Sequence, residues 1–156
     1  MNTNVIDLVA PSLGLETNEQ ILRDVLTALN EGRISDAVER FDDRFCFNDH
    51  ALDLEFTEKQ RLAKFFQKSR ELFADSHVEV ESISECGDHV IAKWNLTGTQ
   101  SQAYGGYCHR RVRISIQGVS IAYVERERIV RWSEFYDGAR SWRFSLAGHF
   151  NEWIEY

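Results

Sequence analysis

The spacing of apolar residues changes along this 156-residue chain, from a helical period in the first half to strict alternation in the second. Up to about residue 74, apolar side chains recur every three or four positions, which is typical of amphipathic helices. From residue 77 onward they alternate with polar ones, which predicts strands separated by short turns. Helices followed by a meander of strands indicate an α+β fold, with helices covering one face of a curved antiparallel sheet.

Capping signals set the limits of three predicted helices. Thr17 to Gln20 matches a capping box, and Gly32 supplies a stop for the first helix. Ser35 can cap a short second helix with Ala37, Val38 and Phe41 inward, and Thr57 to Gln60 forms a second capping box. The predicted helices therefore cover about residues 18–31, a short segment after Ser35, and a segment that ends near Ala74.

Alternating apolar residues mark the strands of the second half. The predicted strands carry the sets Val78/Val80, Val90/Ala92/Trp94/Leu96, Val112/Ile114/Ile116 and Val119/Ile121/Tyr123, followed by the run Ile129 to Tyr136. Between Ile116 and Val119 the apolar positions change from even to odd numbers. A bulge near Gln117 and Gly118 would restore one continuous core face, since glycine is favoured at such sites.

The chain is acidic, with a formal net charge of −7. This charge argues against nucleic acid and anionic membranes as partners, because both reward positive protein surface. The run His109 to Arg113 is a local exception; alternation predicts a solvated face there, and an anion-binding role is the alternative. No segment of the sequence approaches the length of a transmembrane helix.

One domain is expected over residues 1–156, with residues 1–16 as an N-terminal extension. No Gly-, Ser- or Pro-rich linker divides the chain, and the first residues lack the basic and apolar regions of a secretory signal. Cys46, Cys86 and Cys108 have no CxxC spacing, so the sequence predicts neither a disulfide framework nor a zinc site. Buried thiols in a cytoplasmic protein are the expectation.

Asp137 follows a strand that is rich in aromatic residues, Trp132, Phe135 and Tyr136 among them. A carboxylate among such neighbours loses hydration, which raises its pKa towards the range that suits proton transfer. The alternative is a strand-end aspartate that enters the turn Asp137–Gly138 or pairs with a nearby arginine. Asp137 is the leading candidate for an acid or base.

Several segments, in this order and spacing, are similar to those of one known family. They are the apolar stripe of the first helix, Phe41 to His50, Gly87 to Trp94, Leu96 to Thr99, and the final hairpin with Ile129, Trp132 and Asp137. Together they resemble the SnoaL-like polyketide cyclases of the nuclear transport factor two-like superfamily, over about residues 18 to 140.

The resemblance implies a cone in which a strongly bent sheet and three helices enclose one pocket. Members of the superfamily include cyclases, isomerases, hydrolases, dehydratases and non-catalytic binding modules, so the fold by itself specifies no reaction. In SnoaL-like cyclases the aspartate five residues after the tryptophan acts as general acid and base. Asp137 stands five residues after Trp132 here, and that role is carried over.

Asn48, Asp49 and His50 lie in a segment that meets the pocket in relatives. His50 could exchange protons with a substrate or orient Asp137, and Asn48 could hold a carbonyl group or a water molecule. Asp49 could instead be the base, as early-loop carboxylates are in isomerase relatives. Ordinary turn capping by Asn48 and Asp49 is the alternative.

Two segments depart from the family pattern. The tip Arg126-Glu127-Arg128 lacks the usual glycine, which predicts a longer or differently shaped turn. The loop from Gln100 to Arg111, which lies near the pocket mouth in relatives, carries tyrosines and glycines in place of the usual proline-containing stretch. Substrate identity is therefore left open. Candidate residues for the pocket lining, beside Asn48, are Phe47, Phe66, Trp94, Ile116 and Phe135.

The resemblance and the candidate residues predict an enzyme without cofactor or metal, which moves a proton next to a carbonyl of a small apolar, cyclic substrate. A non-catalytic ligand-binding or dimerising module with the same fold is the alternative. Large apolar residues occupy both faces of the predicted sheet, and an exposed apolar face commonly marks an association surface. We therefore expect a homodimer that forms through the sheet.

Overall fold

The computed structural model describes residues 16–100 and 112–137, and it has the predicted α+β architecture. Its elements, in chain order, are α1 (Asn18–Asn30), α2 (Ile34–Glu39), β1 (Phe41–Asp49), β2 (Leu54–Phe56), α3 (Lys59–Leu72), β3 (His77–Cys86), β4 (His89–Gln100), β5 (Val112–Glu125) and β6 (Arg128–Tyr136). The long hairpins of β3 to β6 confirm the strands predicted from alternation.

Only the first of the predicted helix caps is present. The Thr17 side chain accepts a hydrogen bond from the backbone N–H of Gln20 at 3.1 Å, and Gly32 ends the turn after α1 with φ at +75°. The predicted caps of α2 and α3 are wrong: the cap residues are Arg33 and Glu58, and neither side chain makes a capping bond. The helix α3 ends at Leu72, two residues before the predicted end.

The strands β1 and β2 were not predicted, because no clean alternation marks them. Phe41 is buried, but it begins β1 and does not belong to the second helix. In β1, the odd-numbered Phe45, Phe47 and Asp49 are buried. The strand runs parallel to β6, so the predicted antiparallel sheet contains one parallel pair.

The six strands form one curved sheet in the order β2-β1-β6-β5-β4-β3. The three helices lie on one face, and the core fills the space between them and the sheet. Burial of such apolar side chains is the main favourable term in folding. Aromatic rings from β1, β2, α3 and β6 pack together in this core: Phe47 stacks on Trp132 at 6.1 Å and meets Phe66 edge-on at 5.6 Å.

The predicted bulge at Gln117 and Gly118 is wrong. The pairing of β4 with β5 continues without a shift through Asn95↔Gln117 and Trp94↔Gly118. The small even-numbered residues Gly118 and Ser120 of β5 still face the core, and the Trp94 ring occupies the space over them. A Cβ atom at Gly118 would lie 2.3 Å from ring atoms of Trp94.

Of the two alternatives predicted for the tip between β5 and β6, the longer turn is wrong. Glu125 pairs with Arg128, so the tip has two residues, Arg126 and Glu127. Both have left-handed backbone conformations, with φ at 50° and 62°. Such turns match the twist of the flanking strands, which explains why the chain accepts the conformation without glycine.

The described residues contain no group of three or more His, Cys, Asp or Glu side chains that could hold a metal ion. No helix among them has the length and hydropathy to cross a membrane. The expectation of buried thiols is wrong for Cys86, which is exposed, while Cys46 is half-buried. Cys108 lies outside the described residues, as does the basic run from His109 to Arg111.

Candidate active site

A cavity of about 180 Å³ lies between the inner face of the sheet and helices α1 and α3. For comparison, a cavity of roughly 150 Å³ accommodates benzene. Its lining is mainly apolar, and most of its residues come from β1, α3, β4 and the C-terminal half of α1. The lining residues with ionisable or amide groups are Asn30, Asp49, Arg70, Glu134 and Tyr136.

Five of the candidate catalytic and pocket-lining residues from the sequence line this cavity. They are Phe47, Asp49, Phe66, Trp94 and Ile116. Four of these supply apolar surface, and Asp49 supplies a carboxyl group at the end of β1. A cavity with mostly apolar walls and a few convergent polar groups is the usual form of a small-molecule site.

Two carboxyl groups, those of Asp49 and Glu134, stand side by side in the cavity wall. Asp49 is paired with Glu134 in the parallel register of β1 and β6, so the two residues occupy neighbouring positions of the sheet. Both line the cavity. Neighbouring carboxyl groups raise each other's pKa, because two like charges at close range disfavour double ionisation.

The Glu134 carboxyl group is held by a network of buried hydrogen-bond donors. Trp132 Nε1 donates to Glu134 Oε1 at 2.6 Å, and Ser120 Oγ donates to Glu134 Oε2 at 2.9 Å. Ser120 Oγ in turn accepts from Trp94 Nε1 at 2.8 Å. Ser120 and Trp132 are 0% and 1% exposed, so solvent does not reach these two donors.

Burial raises the pKa of Glu134 to about 8, and the negative charge of Asp49 adds to the rise. The bonds from Trp132 and Ser120 favour the ionised form and oppose this shift, but loss of hydration is the larger effect. Glu134 is therefore mainly protonated at neutral pH. In that state it is a hydrogen-bond donor and a general acid.

Asp49 has a different environment. Tyr136 donates its hydroxyl proton to Asp49 Oδ2 at 2.8 Å, and the backbone N–H groups of Ala51 and Leu52 donate to Oδ1 at 3.0 and 2.9 Å. Burial raises the pKa of Asp49 above its ordinary value, while these three bonds work in the opposite direction. Three donors to one carboxylate suit the ionised form of Asp49, so the pair combines an acid with a base.

Asp137 does not face the cavity, contrary to the predicted desolvation of this residue. It is exposed directly after the last residue of β6, and it is absent from the cavity lining. Alternation explains this position: Trp132, Glu134 and Tyr136 face inward, whereas Phe135, 43% exposed, lies on the other face. An acid–base role for Asp137 stays a prediction that its position does not favour.

His50 and Asn48 also lie away from the cavity lining. The His50 ring is exposed and stacks on Phe135, with ring centres 4.4 Å apart. Asn48 Nδ2 lies 3.2 Å from the sulfur of Cys46. These two residues and Phe135 therefore share the region around the outer face of β1 and β6. Burial raises the pKa of Asp49, and a positive charge on the nearby His50 would oppose this rise.

Glu134 was not singled out from the sequence, although a signal for it exists. It stands midway between Trp132 and Tyr136, so the alternation that turns both aromatic side chains inward turns Glu134 inward too. A carboxyl group on a core-facing position is uncommon and calls for a partner or a function. The family pattern drew attention to Asp137 instead.

The sequence matches the family model of SnoaL-like polyketide cyclases over residues 19–143. The chain belongs to the SnoaL-like polyketide cyclase family. No curated protein matches this chain.

Solved structures share the fold at low sequence identity. An NTF2-like protein from Burkholderia thailandensis is 14% identical with a TM-score of 0.72. The match covers 83% of this chain and 97% of the Burkholderia chain. A hypothetical protein with a ketosteroid isomerase-like fold from Catenulispora acidiphila, in complex with trimethylamine, is 16% identical with a TM-score of 0.71; the coverage is 85% and 98%. IdmH from Streptomyces antibioticus, a candidate polyketide cyclase, is 16% identical with a TM-score of 0.69. The match covers 77% of this chain and 91% of IdmH. At these identities the likeness concerns the fold alone.

Proposed function

We propose that this SnoaL-like protein is a cyclase or isomerase that moves a proton next to a carbonyl group of a small apolar molecule. The observation that carries the proposal is the Asp49–Glu134 pair in the wall of an apolar cavity. Burial keeps Glu134 protonated, whereas three hydrogen-bond donors favour ionised Asp49 against the effect of burial, and such a difference suits an acid and a base that work together.

In this reaction Asp49 is the base and Glu134 is the acid. Asp49 takes a proton from the carbon next to the carbonyl, while the carbonyl oxygen receives a hydrogen bond or a proton from Glu134. The electron pair then takes a proton back at another carbon, which is isomerisation. Alternatively, it attacks a second carbonyl carbon of the same molecule, which closes a ring; the oxygen of that carbonyl then takes the proton from Asp49, and the first carbonyl oxygen returns its proton to Glu134. Neither route consumes an oxidant or a reductant.

Exchange of α-hydrogen for deuterium tests the proton transfer without knowledge of the natural substrate. The probe is 2-tetralone in D₂O, a small bicyclic ketone, and its α C–H signals are followed by ¹H NMR. We expect the wild-type protein to accelerate exchange above buffer. Asp49→Asn and Glu134→Gln should each lower the acceleration by about 10²–10⁴-fold, the usual contribution of a general acid or base.

Asp137→Asn distinguishes the two candidate bases in the same assay. The exposed position of Asp137 leads us to expect exchange close to that of the wild type. Loss of exchange in Asp137→Asn alone would return the role of base to that residue. If the wild type binds 2-tetralone but does not accelerate exchange, the protein is a ligand-binding module, and the proposal is wrong.

A further inference from the structure

Arg70, near the end of α3, is the single cationic residue among the described residues that line the cavity. Its side chain is partly buried, and no described carboxylate forms an ion pair with it. Arg33 and Arg40, by comparison, each bind two carboxylates. Arg70 therefore brings a positive charge to the cavity without a described acidic partner.

The guanidinium group of Arg70 is fixed by the end of α1. Its Nη1 donates to the carbonyl oxygens of Leu29 and Asn30 at 3.2 and 3.1 Å. A Cβ atom at Gly32 would lie 2.8, 2.9 and 3.1 Å from Nε, Cζ and Nη2 of Arg70. These nearly equal distances place Gly32 against the flat face of the guanidinium group, so Gly32 leaves the N–H edges uncovered.

Donors remain on this anchored group. A guanidinium group has five N–H donors, and the two bonds of Nη1 leave those of Nε and Nη2 without an acceptor in the described part of the chain. The carbonyl groups at a helix C-terminus carry only about half a unit of negative charge. They therefore offset part of the positive charge of Arg70, and a full carboxylate remains a favourable partner.

Arg70 and the carboxyl pair belong to different ends of the cavity. The carbonyl of Asn30 binds Arg70, and its side chain binds the backbone of Val78 on β3. Asn30 Nδ2 donates to the Val78 carbonyl oxygen, and the Val78 N–H donates to Asn30 Oδ1, both at 2.8 Å. The strand β3 lies three strands from β6 in the sheet, so Arg70 lies on the β3 side of the cavity and the carboxyl pair on the β6 side. An anion at Arg70 is therefore kept apart from the charge of Asp49.

We infer that Arg70 is an anion subsite that binds a carboxylate group of the ligand. Apolar residues of the lining, such as Leu96 and Ile116, would contact the body of the ligand between the two ends. The ligand class is thus an apolar ring compound with a carboxylate. Its description as a keto acid substrate rests on the proposed function, whereas the anion subsite does not.

The test compares two probes of nearly equal shape, 2-naphthoate and 2-naphthamide, by isothermal titration calorimetry at pH 7. We expect the wild-type protein to bind the carboxylate at least about tenfold more tightly than the amide, since charge-assisted bidentate bonds are the stronger kind. Arg70→Gln should remove this preference by weakening naphthoate binding and leaving naphthamide binding unchanged. Arg61→Gln, on an exposed position of α3, is the matched control and should keep the preference.

Three outcomes would overturn the subsite: no binding of naphthoate, equal binding of both probes by the wild type, or equal weakening of both by Arg70→Gln. Arg70→Lys separates loss of the charge from loss of the hydrogen bonds to α1. It keeps the charge, so it should retain part of the preference for naphthoate. Asp49→Asn and Glu134→Gln should keep the preference for naphthoate. Failure of deuterium exchange would therefore refute the acid–base proposal alone, and loss of the naphthoate preference would refute the subsite alone.

Discussion

At the scale of single residues, the site depends on which carboxyl groups lose contact with water. Glu134 is surrounded by Trp132, Ser120 and the neighbouring Asp49, whereas Asp137, three positions later, is exposed. Three positions along a strand change the face of the sheet, so the two residues have opposite environments despite their closeness in sequence.

The raised pKa of Glu134 predicts that the stability of the protein falls as the pH rises. The folded state holds the proton up to about pH 8, while the unfolded chain releases it near 4.5. The contribution of the Glu134 proton to the free energy of unfolding is therefore complete below pH 4.5 and is lost as the pH rises to 8. The loss amounts to about 1.4 kcal/mol for each unit of difference between the two pKa values.

Glu134→Gln should remove this component. Urea unfolding between pH 5 and pH 9 should show the variant gaining stability relative to the wild type, by a few kcal/mol at pH 9. Glu55→Gln, on an exposed position of β2, serves as the control. Parallel curves for wild type and Glu134→Gln would contradict a raised pKa at this position.

Gly118 makes room for the indole ring that begins the network of Glu134. Gly118→Ala would place a Cβ atom 2.3 Å from Trp94 ring atoms, so the ring or the strand must move. We expect a loss of about 1–3 kcal/mol of stability in urea unfolding, the usual cost of overpacking. Trp94→Phe removes those ring atoms, and the double variant should lose less stability than the sum of the two single variants. Simple additivity would contradict the steric explanation.

At the scale of elements, the β3–β4 and β5–β6 tips of the described sheet both use left-handed conformations, but with different residues. The β3–β4 tip has glycine at position 87, with φ at +60° and open space around the Cβ position, whereas the β5–β6 tip has Arg126 and Glu127. A left-handed conformation costs a residue with a side chain about 1–2 kcal/mol. The longer tip expected from the absence of glycine does not form, because the paired strands hold the tip to two residues.

Substitutions at the two tips should have opposite effects on stability. Arg126→Asn should raise the free energy of unfolding by up to about 1 kcal/mol, because asparagine adopts the left-handed region more easily. Gly87→Ala should lower it by about 1 kcal/mol through backbone strain alone, since nothing lies within 4 Å of its Cβ position. Urea unfolding measures both, and changes of the same sign at the two tips would contradict the assignment.

At the scale of the whole molecule, the outer face of the sheet carries apolar side chains. Ile91 and Phe135 are 41% and 43% exposed. They pair with Ile121 and Val119 on β5, which are partly buried, so the four side chains form a continuous patch across β4, β5 and β6. Patches of this kind commonly mark association surfaces.

We propose that two copies associate through this patch. Sedimentation at micromolar concentration should give about twice the chain mass of 18.2 kDa, as two-fold pairing requires. Ile91→Glu and Phe135→Glu should each shift the protein towards the monomer, because they bury a charge at the interface. Arg61→Glu, on the helical side, should leave the mass unchanged. A wild-type monomer at that concentration would contradict the dimer.

The order of apolar periods in the sequence determined the fold class, the first helix and the strands β3 to β6, because those periods are local properties of the chain. Asp49 was a candidate because its segment meets the pocket in relatives of the family that the sequence resembles, and Phe47, Phe66, Trp94 and Ile116 were candidates as apolar residues suited to a lining. A family match based on sequence alone also identified the chain as SnoaL-like.

Only the tertiary structure decided which face of each strand meets the helices and which carboxyl group enters the cavity. The inward face of β5 is lined by Gly118, Ser120 and Ala122, which hydrophobicity alone would turn outward. The Trp94 indole, from the next strand, occupies the space that a side chain at Gly118 would need, and it donates a hydrogen bond to Ser120. That same packing presents Ser120 to Glu134, and the parallel register of β1 brings Asp49 beside it, so the acid–base pair depends on contacts between distant segments.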